Sequence, residues 1–504
     1  MIDSPTATDQ EATPSLEQHF ARFRDGIIGQ HQTFETPFGE QKIIYADWIA
    51  SGRLFEPLER KISETFGPFV GNTHSESSIT GTCMTRAYHE AHHVIKNHVN
   101  AGKNDVIITA ETGMTGVICK FQRILGLKAP SNLKTHINIP KDEQPVVFIT
   151  HMEHHSNQTS WLETIAEVVQ VPADDEGLID ITSMHDLLDK YKDRPLKIGS
   201  FTSCSNVTGV QTPYHKMARV MHEHGGYCFV DFAASAPYVD IDMHPADPME
   251  KLDAIFFSPH KFLGGPGTSG CLIFDSALYQ NQVPDNPGGG TVAWTNPWGG
   301  HSYFEDIEAR EDGGTPGFLQ AIRTALAIKV KEEMGVENMA AREEELLSIA
   351  FDRLGRVPRV KILAEHIKHR LGVISFYVED VHYNLIVKLL NDRYGIQVRG
   401  GCSCAGTYGH FLLHVDRALS KSITDQIDSG DLSAKPGWVR LSIHPTLEDD
   451  TLHFILDAIE AVVDNIDEWS KDYSYCSISN EFTHVEGDCL DKFELVDWFN
   501  MEEN

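Results

Sequence analysis

Lys261 occupies a setting in which a lysine could do covalent chemistry. It follows an apolar stretch, Asp253 to Phe257, and precedes the glycine-rich run Gly264-Gly265-Pro266-Gly267. A lysine at the end of a buried strand is costly unless it is paired or used, because burial favours the neutral amine. A neutral amine is the form that makes a Schiff base with an aldehyde cofactor. The alternative is a surface lysine whose ammonium reaches water from the strand end.

A carboxylate ends another short apolar run, Tyr227 to Asp231, upstream of this lysine. The spacing between Asp231 and Lys261 leaves room for one further strand and its connection. Pyridoxal phosphate needs a lysine for the Schiff base and an acid that keeps the pyridine nitrogen protonated, so that the ring draws in electrons. Asp231 alone would be a loop or cap residue; together with Lys261, it is predicted to be the pyridinium partner.

A turn of small residues around Thr112 and Gly113 joins the predicted strand Asp105–Thr109 to a predicted helix. Backbone amides at a helix start hold phosphate well, and a threonine adds a hydroxyl. Taken alone, the segment favours ordinary helix capping over a phosphate site. The turn is still retained as a candidate phosphate site.

Three histidines within five residues, His151, His154 and His155, suggest a zinc site. Their order is not His-Glu-x-x-His, and a loop after a strand would not place all three on one helical face. No metal site is predicted.

Cys404 lies in a glycine-rich loop, five residues after Arg399. The glycines allow the loop to move, and a cysteine thiolate is a competent nucleophile. Cys402 precedes it by two residues, so a metal site, a strained disulfide or a buried inert pair are the alternatives.

These segments occur in an order that resembles the class V aminotransferase group of pyridoxal-phosphate enzymes. The resemblance is to cysteine desulfurases, selenocysteine lyases and the sulfurase domain of molybdenum-cofactor sulfurases, and it runs from about residue 45 to about residue 459. It implies fold type I, an α/β fold with a mainly parallel seven-stranded sheet in the large domain and a smaller α+β domain. It also implies a homodimer with shared active sites.

The resemblance assigns a role to each candidate residue. His154 stacks on the pyridine ring, close enough to move protons at the substrate carbon. Arg440 grips the substrate carboxylate, and Arg399 is the second or competing ligand. Cys404 takes up sulfur as a persulfide. The remaining assignments are Asn206 on the cofactor's phenolic oxygen, Thr112, Gly113, Ser258 and His260 on its phosphate, and Thr315 on the phosphate bound by the neighbouring subunit.

Ala234 departs from the family pattern. In many cysteine desulfurases the third residue after the aspartate is a glutamine that faces the phenolic oxygen, and here this residue is Ala234. Either Ser235 or a water substitutes for the glutamine, or the electronics of the bound cofactor differ. Two site residues also have purely structural interpretations: Asn206 could shape a turn, and Arg440 could form a structural ion pair.

The predicted elements alternate between strand and helix up to about residue 274, which favours a mainly parallel, covered sheet. A long helix from about Phe318 should cross into a second domain. We expect a partly mobile N-terminal arm over 1–40, a cofactor-binding large domain over 41–320, a small domain over 321–470 and an acidic tail over 471–504. The predicted strands of the large domain are Asp105–Thr109, Val146–Thr150, Glu167–Val171, Ile198–Thr202, Tyr227–Asp231, Ala254–Phe257 and Gly270–Phe274.

The bulk properties exclude several classes of partner. The chain has 504 residues, long enough for two or three domains, and a net charge of -31 argues against nucleic acid or an anionic membrane. No apolar run approaches the roughly 18 residues of a membrane span. The nine scattered cysteines fit a reducing cytoplasm better than a disulfide scaffold.

The leading expectation is a pyridoxal-phosphate enzyme of sulfur metabolism that removes sulfur from L-cysteine or a related small amino acid. It would release alanine and leave a persulfide on Cys404. The alternative is another class V reaction: transamination, epimerisation, or an elimination of the carbon–sulfur or carbon–selenium lyase type. A non-catalytic scaffold is a further rival, against which the retained Lys261 and Asp231 argue. The resemblance also allows a sulfur-acceptor protein as a partner.

Overall fold

The computed structural model describes residues 15–134, 136–487 and 498–501. Its strands are β1 (Thr33–Thr36), β2 (Gly39–Lys42), β3 (Ile44–Tyr45), β4 (Asp105–Ala110), β5 (Val146–Ile149), β6 (Glu167–Gln170), β7 (Lys197–Thr202), β8 (Tyr227–Asp231), β9 (Ala254–Phe257), β10 (Gly270–Asp275), β11 (Val292–Thr295), β12 (His301–Tyr303), β13 (Val360–Ile362), β14 (Val373–Val378), β15 (Ile396–Gln397), β16 (Arg399–Gly401), β17 (Trp438–Ser442), β18 (Tyr473–Cys476) and β19 (Glu481–His484). Its helices are α1 (Leu16–Asp25), α2 (Glu56–Arg60), α3 (Ile79–His98), α4 (Gly113–Ile124), α5 (Ser131–Lys134), α6 (His155–Leu162), α7 (Ile181–Lys190), α8 (Tyr214–Glu223), α9 (Ile307–Glu311), α10 (Phe318–Met334), α11 (Val336–Leu354), α12 (Tyr383–Tyr394), α13 (Gly406–Leu412), α14 (Arg417–Asp428), α15 (Asp449–Asp464) and α16 (Ile466–Trp469). Within these ranges, no helix combines the length and apolar character that a membrane crossing requires.

Seven strands form the large sheet, in the order β4-β10-β9-β8-β7-β5-β6. Neighbouring strands are parallel except for β10, which runs antiparallel to both β4 and β9. The predicted mainly parallel sheet is confirmed, and each predicted strand matches an observed one to within one residue at either end. These strands are continuous apolar runs because helices cover both faces of the sheet.

The two faces of the sheet have separate helical covers. One face packs on α4 and α6, where Phe121 and Trp161 are fully buried. The other packs on α7 and α8, where Met184 and Met217 are fully buried. The parallel strands therefore end together at one edge of the sheet, where open α/β sheets place their binding crevice.

The small domain is an antiparallel sheet, ordered β13-β14-β17-β16, whose core includes side chains of α11, α12 and α15. The long helical stretch predicted from about Phe318 is broken at Gly335, which has φ +79°. Its first half, α10, packs against α3 of the large domain, and its second half, α11, packs against α15. The stretch therefore runs from a contact with α3 to a contact with α15.

Residues 15–45, which overlap the predicted N-terminal arm, contain one helix and three strands. α1 begins with a capping box on Ser15 and buries Phe20 and Phe23. β1 and β2 form a hairpin, and β3 pairs with β15 of the small domain. The prediction missed α1 because its sequence is mostly polar, although two phenylalanines three residues apart suffice for one buried face. Residues 1–14 lie outside the described residues.

The predicted acidic tail begins as part of the small domain. β18 and β19 form a hairpin, and Asn480 Nδ2 donates to the Tyr383 hydroxyl on α12 at 2.8 Å. Asn384 Nδ2 in turn donates to the carbonyl oxygen of Asn480 at 2.6 Å. Residues 488–497 and 502–504 of the predicted tail lie outside the described residues.

The segment 281–317 contains the hairpin β11–β12 and the short helix α9. It is fixed to α4 by Lys120, whose Nζ donates to Glu311 Oε2 at 2.8 Å. The Tyr279 hydroxyl donates to Glu311 Oε1, also at 2.8 Å. Both charges of the Lys120–Glu311 pair are buried, and Lys120 Nζ also lies 3.4 Å from Asp285 Oδ2, so a buried cluster of charges holds the segment. Glu311, four residues before Thr315, therefore anchors the segment 281–317 to the large domain.

Candidate active site

A cavity of about 460 Å³ lies at the carboxyl ends of the parallel strands, between the large sheet and the small domain. The large domain lines it with the residues that follow β4, β5, β7, β8 and β9, and the small domain adds residues of β16, β17 and the loop before α13. The predicted site residues that line it are Thr112, Gly113, His154, Asn206, Asp231, Ser258, His260, Lys261, Arg399, Cys404 and Arg440.

Thr315 does not line this cavity within a single chain. It lies exposed on the segment held by Glu311. In this chain alone the structure therefore does not bring Thr315 to the other predicted site residues.

Lys261 and Asp231 provide an amine and an acid with shifted proton affinities. Lys261 lies on the short 3₁₀ turn after β9, where burial lowers the pKa of its ammonium to about 8 against the opposing effect of Asp231. Asp231, at the end of β8, is 3% exposed, and burial raises the pKa of its carboxyl to about 6. Near neutral pH, part of the Lys261 population is a neutral amine while most Asp231 is ionised. That combination suits a nucleophilic amine near a fixed anion.

The turn before α4 offers backbone groups to an anion. Gly113 has φ +59°, and a Cβ at this position would lie 3.0 Å from Ser258 Oγ. Ser258 Oγ accepts the backbone N–H of Met114 at 2.8 Å. Burial, followed by the charge of Lys261, lowers the pKa of His260 to about 4, so its ring is neutral. Amides and hydroxyls at the start of this 12-residue helix form a suitable phosphate site.

Glu153 fixes the position of His154. Its Oε1 accepts the backbone N–H of Thr150 at 3.1 Å and that of Thr202 at 3.0 Å, which ties the ends of β5 and β7 together. His154 caps α6, its Nδ1 accepting the backbone N–H of Ser156 at 3.1 Å. Burial lowers the pKa of His154 to about 3. The ring is therefore neutral, and a neutral flat ring suits stacking on an aromatic cofactor.

The three neighbouring histidines do not converge. His151 Nε2 lies 3.1 Å from the carbonyl oxygen of Gly177, and its ring packs edge-on to Tyr408. His155 Nε2 accepts the backbone N–H of Gly406 at 2.9 Å. Across the described residues, no group of three histidine, cysteine or acidic side chains is arranged to hold a metal ion.

Three buried polar atoms of cavity-lining residues, Asn206 Oδ1, Thr268 Oγ1 and Ser403 Oγ, lack a hydrogen-bond partner. Orphaned buried atoms of this kind are unfavourable unless a bound group or water completes them. The donor set fits pyridoxal phosphate: Lys261 for its aldehyde, Asp231 for its ring nitrogen and the Gly113 turn for its phosphate.

Arg399 and Arg440 create a site for a carboxylate. They occupy opposite positions on the paired strands β16 and β17, an arrangement of like charges that is unfavourable without an anion. Asp47 supplies part of the compensation, because its Oδ1 lies 2.5 Å from Arg440 Nη2. Arg399, Arg440 and Asp47 together carry one net positive charge, which a substrate carboxylate can neutralise. Arg440 can therefore pair with Asp47 and still help to bind the substrate.

The loop of Cys404 enters the cavity in a constrained conformation. Ser403 and Cys404 have φ values of 50° and 58°, a region that residues other than glycine rarely adopt. Cys402 and Cys404 are both free thiols, so the disulfide alternative does not describe this structure. Cys402 packs against the large-domain core, whereas Cys404 lines the cavity.

Ser235 does not replace the glutamine that is absent at Ala234. Its Oγ lies 2.5 Å from Ser203 Oγ, and it is 1% exposed. Ala233 and Ala234 line the cavity instead. The Ser235 alternative was wrong because the side chain points to the hydroxyl of Ser203, leaving water or altered electronics.

Among the residues in or beside the site that were not predicted from the sequence are Asp47, Glu153 and Thr268. Glu153 lies directly before His154, and that adjacency was the signal available. Asp47 is separated from Arg440 by 393 residues, so no local pattern connects them. Thr268 follows the glycine-rich run after Lys261, where a turn residue gives no separate signal.

Comparison with known proteins gives consistent matches. The family model for aminotransferase class-V matches residues 44–447. A cysteine desulfurase of Haloferax volcanii is 26% identical over 418 residues, 80% of this chain and 91% of the relative. A probable cysteine desulfurase of Halalkalibacterium halodurans is 28% identical over 367 residues, 72% of this chain and 84% of the relative.

Solved structures show the same fold. A cysteine desulfurase of Thermococcus onnurineus superposes with a TM-score of 0.69 at 20% identity, covering 88% of this chain and 98% of the other. A cysteine desulfurase of Escherichia coli gives a TM-score of 0.67 at 20% identity with the same coverage. The α/β architecture predicted from the sequence is therefore that of fold type I.

Proposed function

The chain belongs to the aminotransferase class-V family, whose members use pyridoxal phosphate, and from this premise we propose that it removes sulfur from L-cysteine or a related small amino acid. The products are alanine and a persulfide on Cys404. The observation that carries the proposal is that Cys404 lines the same cavity as Lys261 and Asp231. The relatives described as cysteine desulfurases support the same reaction.

The proposed roles follow from the geometry. When bound, pyridoxal phosphate holds the substrate's amino group covalently and draws electrons from the bonds at its α-carbon. Asp231 would hold the proton on the ring nitrogen, and His154 would pack against the ring and exclude water from that side. Arg440 and Arg399 orient the substrate carboxylate. Lys261 takes the proton from the α-carbon and returns one to the product.

Cys404 receives the sulfur without an external oxidant. Its thiolate attacks the substrate's γ-sulfur, a sulfur–sulfur bond forms and the carbon–sulfur bond breaks. The electron pair of the broken bond stays with the β-carbon, which gains a proton to become the methyl group of alanine. The carbon is reduced by two electrons while the two sulfur atoms together are oxidised by two, so the reaction balances.

Product analysis over a panel of amino acids tests the proposal. We expect L-cysteine with a thiol reductant to yield alanine and sulfide in equal amounts. Pyruvate with ammonia would instead indicate elimination, and a keto acid or an inverted amino acid would indicate transamination or epimerisation. Ala234, which lines the cavity where many cysteine desulfurases have a glutamine, is the departure that makes this comparison of products necessary. A panel without alanine formation contradicts desulfuration.

We further propose a homodimer in which Thr315 completes the partner's site. A 1:1 mixture of Lys261→Ala and Thr315→Ala chains should then regain about a quarter of wild-type activity, because half of the dimers are hybrids with one intact site each. Each variant alone serves as the control and should remain nearly inactive. Turnover of the mixture must be measured after subunit exchange. An unrestored mixture, or a fully active monomer in dilute solution, contradicts shared sites.

The proposal also covers domains, location and partners. Residues 41–320 form the cofactor-binding unit, residues 321–470 form the small domain, and the described hairpin β18–β19 extends it. The scattered free thiols support a cytoplasmic location. A persulfide on Cys404 requires an acceptor, so a thiol-bearing sulfur-acceptor protein is the proposed partner.

A further inference from the structure

His155 contacts the loop of Cys404 through both its main chain and its side chain. Its backbone N–H donates to the carbonyl oxygen of Cys404 at 2.7 Å, and its ring Nε2 accepts the backbone N–H of Gly406 at 2.9 Å. His155 is the first residue of α6, and Gly406 is the first residue of α13. The first N–H groups of a helix have no partner within that helix. Here the carbonyl oxygen of Cys404, just before α13, accepts the first N–H of α6, and the ring of His155 accepts the first N–H of α13.

The loop needs this support because its backbone is strained. Ser403 and Cys404 lie in succession in the left-handed region, with φ of 50° and 58°. Such conformations persist in non-glycine residues where the surroundings hold them. Asn206 adds a third bond, its Nδ2 donating to the carbonyl oxygen of Ser403 at 2.7 Å. All three bonds join the loop, which belongs to the small domain, to the large domain.

We propose that His155 is a positioning residue that holds Cys404 at the cavity in the geometry required for sulfur transfer, an inference that rests on the proposed function. His155 acts through the main chain of Cys404 and Gly406 and touches no reacting atom. To accept at Nε2, the ring must be neutral and carry its proton on Nδ1. Burial lowers the pKa of His155 and Lys435 adds to that effect, which supports the neutral form.

His155→Ala and His155→Gln separate this role from general packing. Without the imidazole, the Gly406 N–H loses its acceptor and the loop relaxes, and a displacement of about 1 Å at a reacting group costs about 100-fold in rate. We expect His155→Ala to lower kcat for persulfide formation by about 10- to 100-fold with KM nearly unchanged. Alkylation of Cys404 by iodoacetamide should become severalfold faster. His155→Gln should restore both values, because its amide oxygen can accept from Gly406.

Gln158→Ala is the matched control. Gln158 lies one turn further along α6, and its Oε1 accepts the Thr407 hydroxyl at 2.9 Å. This variant therefore also removes one hydrogen bond between α6 and α13, but leaves the main chain around Cys404 supported. Its kcat and its alkylation rate should stay within about threefold of wild type, the range of one ordinary hydrogen bond. The visible absorption of bound cofactor should be the same in every variant.

Several outcomes would overturn the proposal. A wild-type alkylation rate in His155→Ala means that the side chain does not hold the loop. An equal defect in His155→Gln and His155→Ala means that the hydrogen bond is not the cause. If His155→Ala does not fold, His155→Asn, whose side chain is too short to reach Gly406, replaces it in the comparison with His155→Gln. Should the wild type form no persulfide, the proposed function fails, while the alkylation rates still decide whether His155 holds the loop.

Discussion

Replacing Lys261 with alanine is expected to abolish covalent attachment of pyridoxal phosphate and to lower turnover by about 10³-fold or more. The cavity then lacks both its aldehyde-binding amine and the base that moves the α-carbon proton. Visible absorption of the purified protein reports attachment, and borohydride reduction followed by peptide mapping identifies the labelled lysine. The fold should persist, because removing the Lys261 side chain also removes the cost of burying its amine.

Two further lysines provide the comparison. Lys251 lies outside the cavity and is paired with Asp253 at 3.0 Å, so Lys251→Ala should retain attachment. Lys331 is the competing candidate, since burial lowers the pKa of its ammonium to about 7. Its Nζ donates to the carbonyl oxygen of Ala236 at 2.8 Å, away from the cavity. Label found on Lys331 or any lysine other than Lys261 refutes the assignment.

The same lysine predicts the pH dependence of cofactor attachment. Only the neutral amine attacks an aldehyde, and the neutral fraction rises with pH until the pKa is passed. With the pKa of Lys261 lowered to about 8, attachment to the apoprotein should accelerate up to about pH 8 and level above it. Attachment to an ordinary surface lysine would continue to accelerate over about two further pH units.

Cys404→Ser should eliminate persulfide formation while preserving cofactor absorption. A hydroxyl at this position is a far weaker nucleophile towards sulfur than a thiolate, so we expect alanine production from L-cysteine to fall by about 10³-fold or more. Mass spectrometry of the peptide that contains residue 404 measures the persulfide, and amino-acid analysis measures alanine. Substrate binding should survive because Arg399 and Arg440 are unchanged.

Cys402→Ser is the control for this loop. It alters a thiol of the same loop that packs against the core and does not line the cavity, so its effect on alanine production should be mild. If Cys404→Ser keeps full turnover on the natural substrate, sulfur transfer through this loop is wrong. The enzyme would then catalyse an elimination, an epimerisation or a transamination.

Local patterns were sufficient to predict the large sheet. Strands such as Ala254–Phe257 are short apolar runs bounded by turn residues. Because helices cover both faces of the sheet, every residue of such a strand is apolar, and the run can be recognised from the sequence alone. The residues that follow these strands, among them Asp231 and Lys261, were predictable as a group because parallel strands end at the same edge of the sheet. The structure brings these residues together at one cavity, and their individual roles remain predictions.

Other features had no local signal. α1 is mostly polar, and only its tertiary contacts show why Phe20 and Phe23 are buried. The Asp47–Arg440 pair and the bond between His155 and Gly406 each join residues hundreds of positions apart. The conformation of Ser403 and Cys404 contradicts their own backbone preferences and is imposed by the large domain. Such features require the three-dimensional arrangement, because sequence spacing carries no information about them.

The pairing of β3 with β15 joins two segments that the ribosome synthesises far apart in time. Asp47 leaves the ribosome 393 residues before Arg440, an interval of about 20–80 s at ordinary rates of translation. During that time the large domain can form its sheet, whereas β3 has no partner strand and Asp47 has no Arg440 to pair with. The nascent chain therefore passes through a stage in which the large sheet can exist while the cavity is still open on one side. Its last lining residues, Arg399, Cys404 and Arg440, are synthesised late, so the active site is completed only towards the end of synthesis.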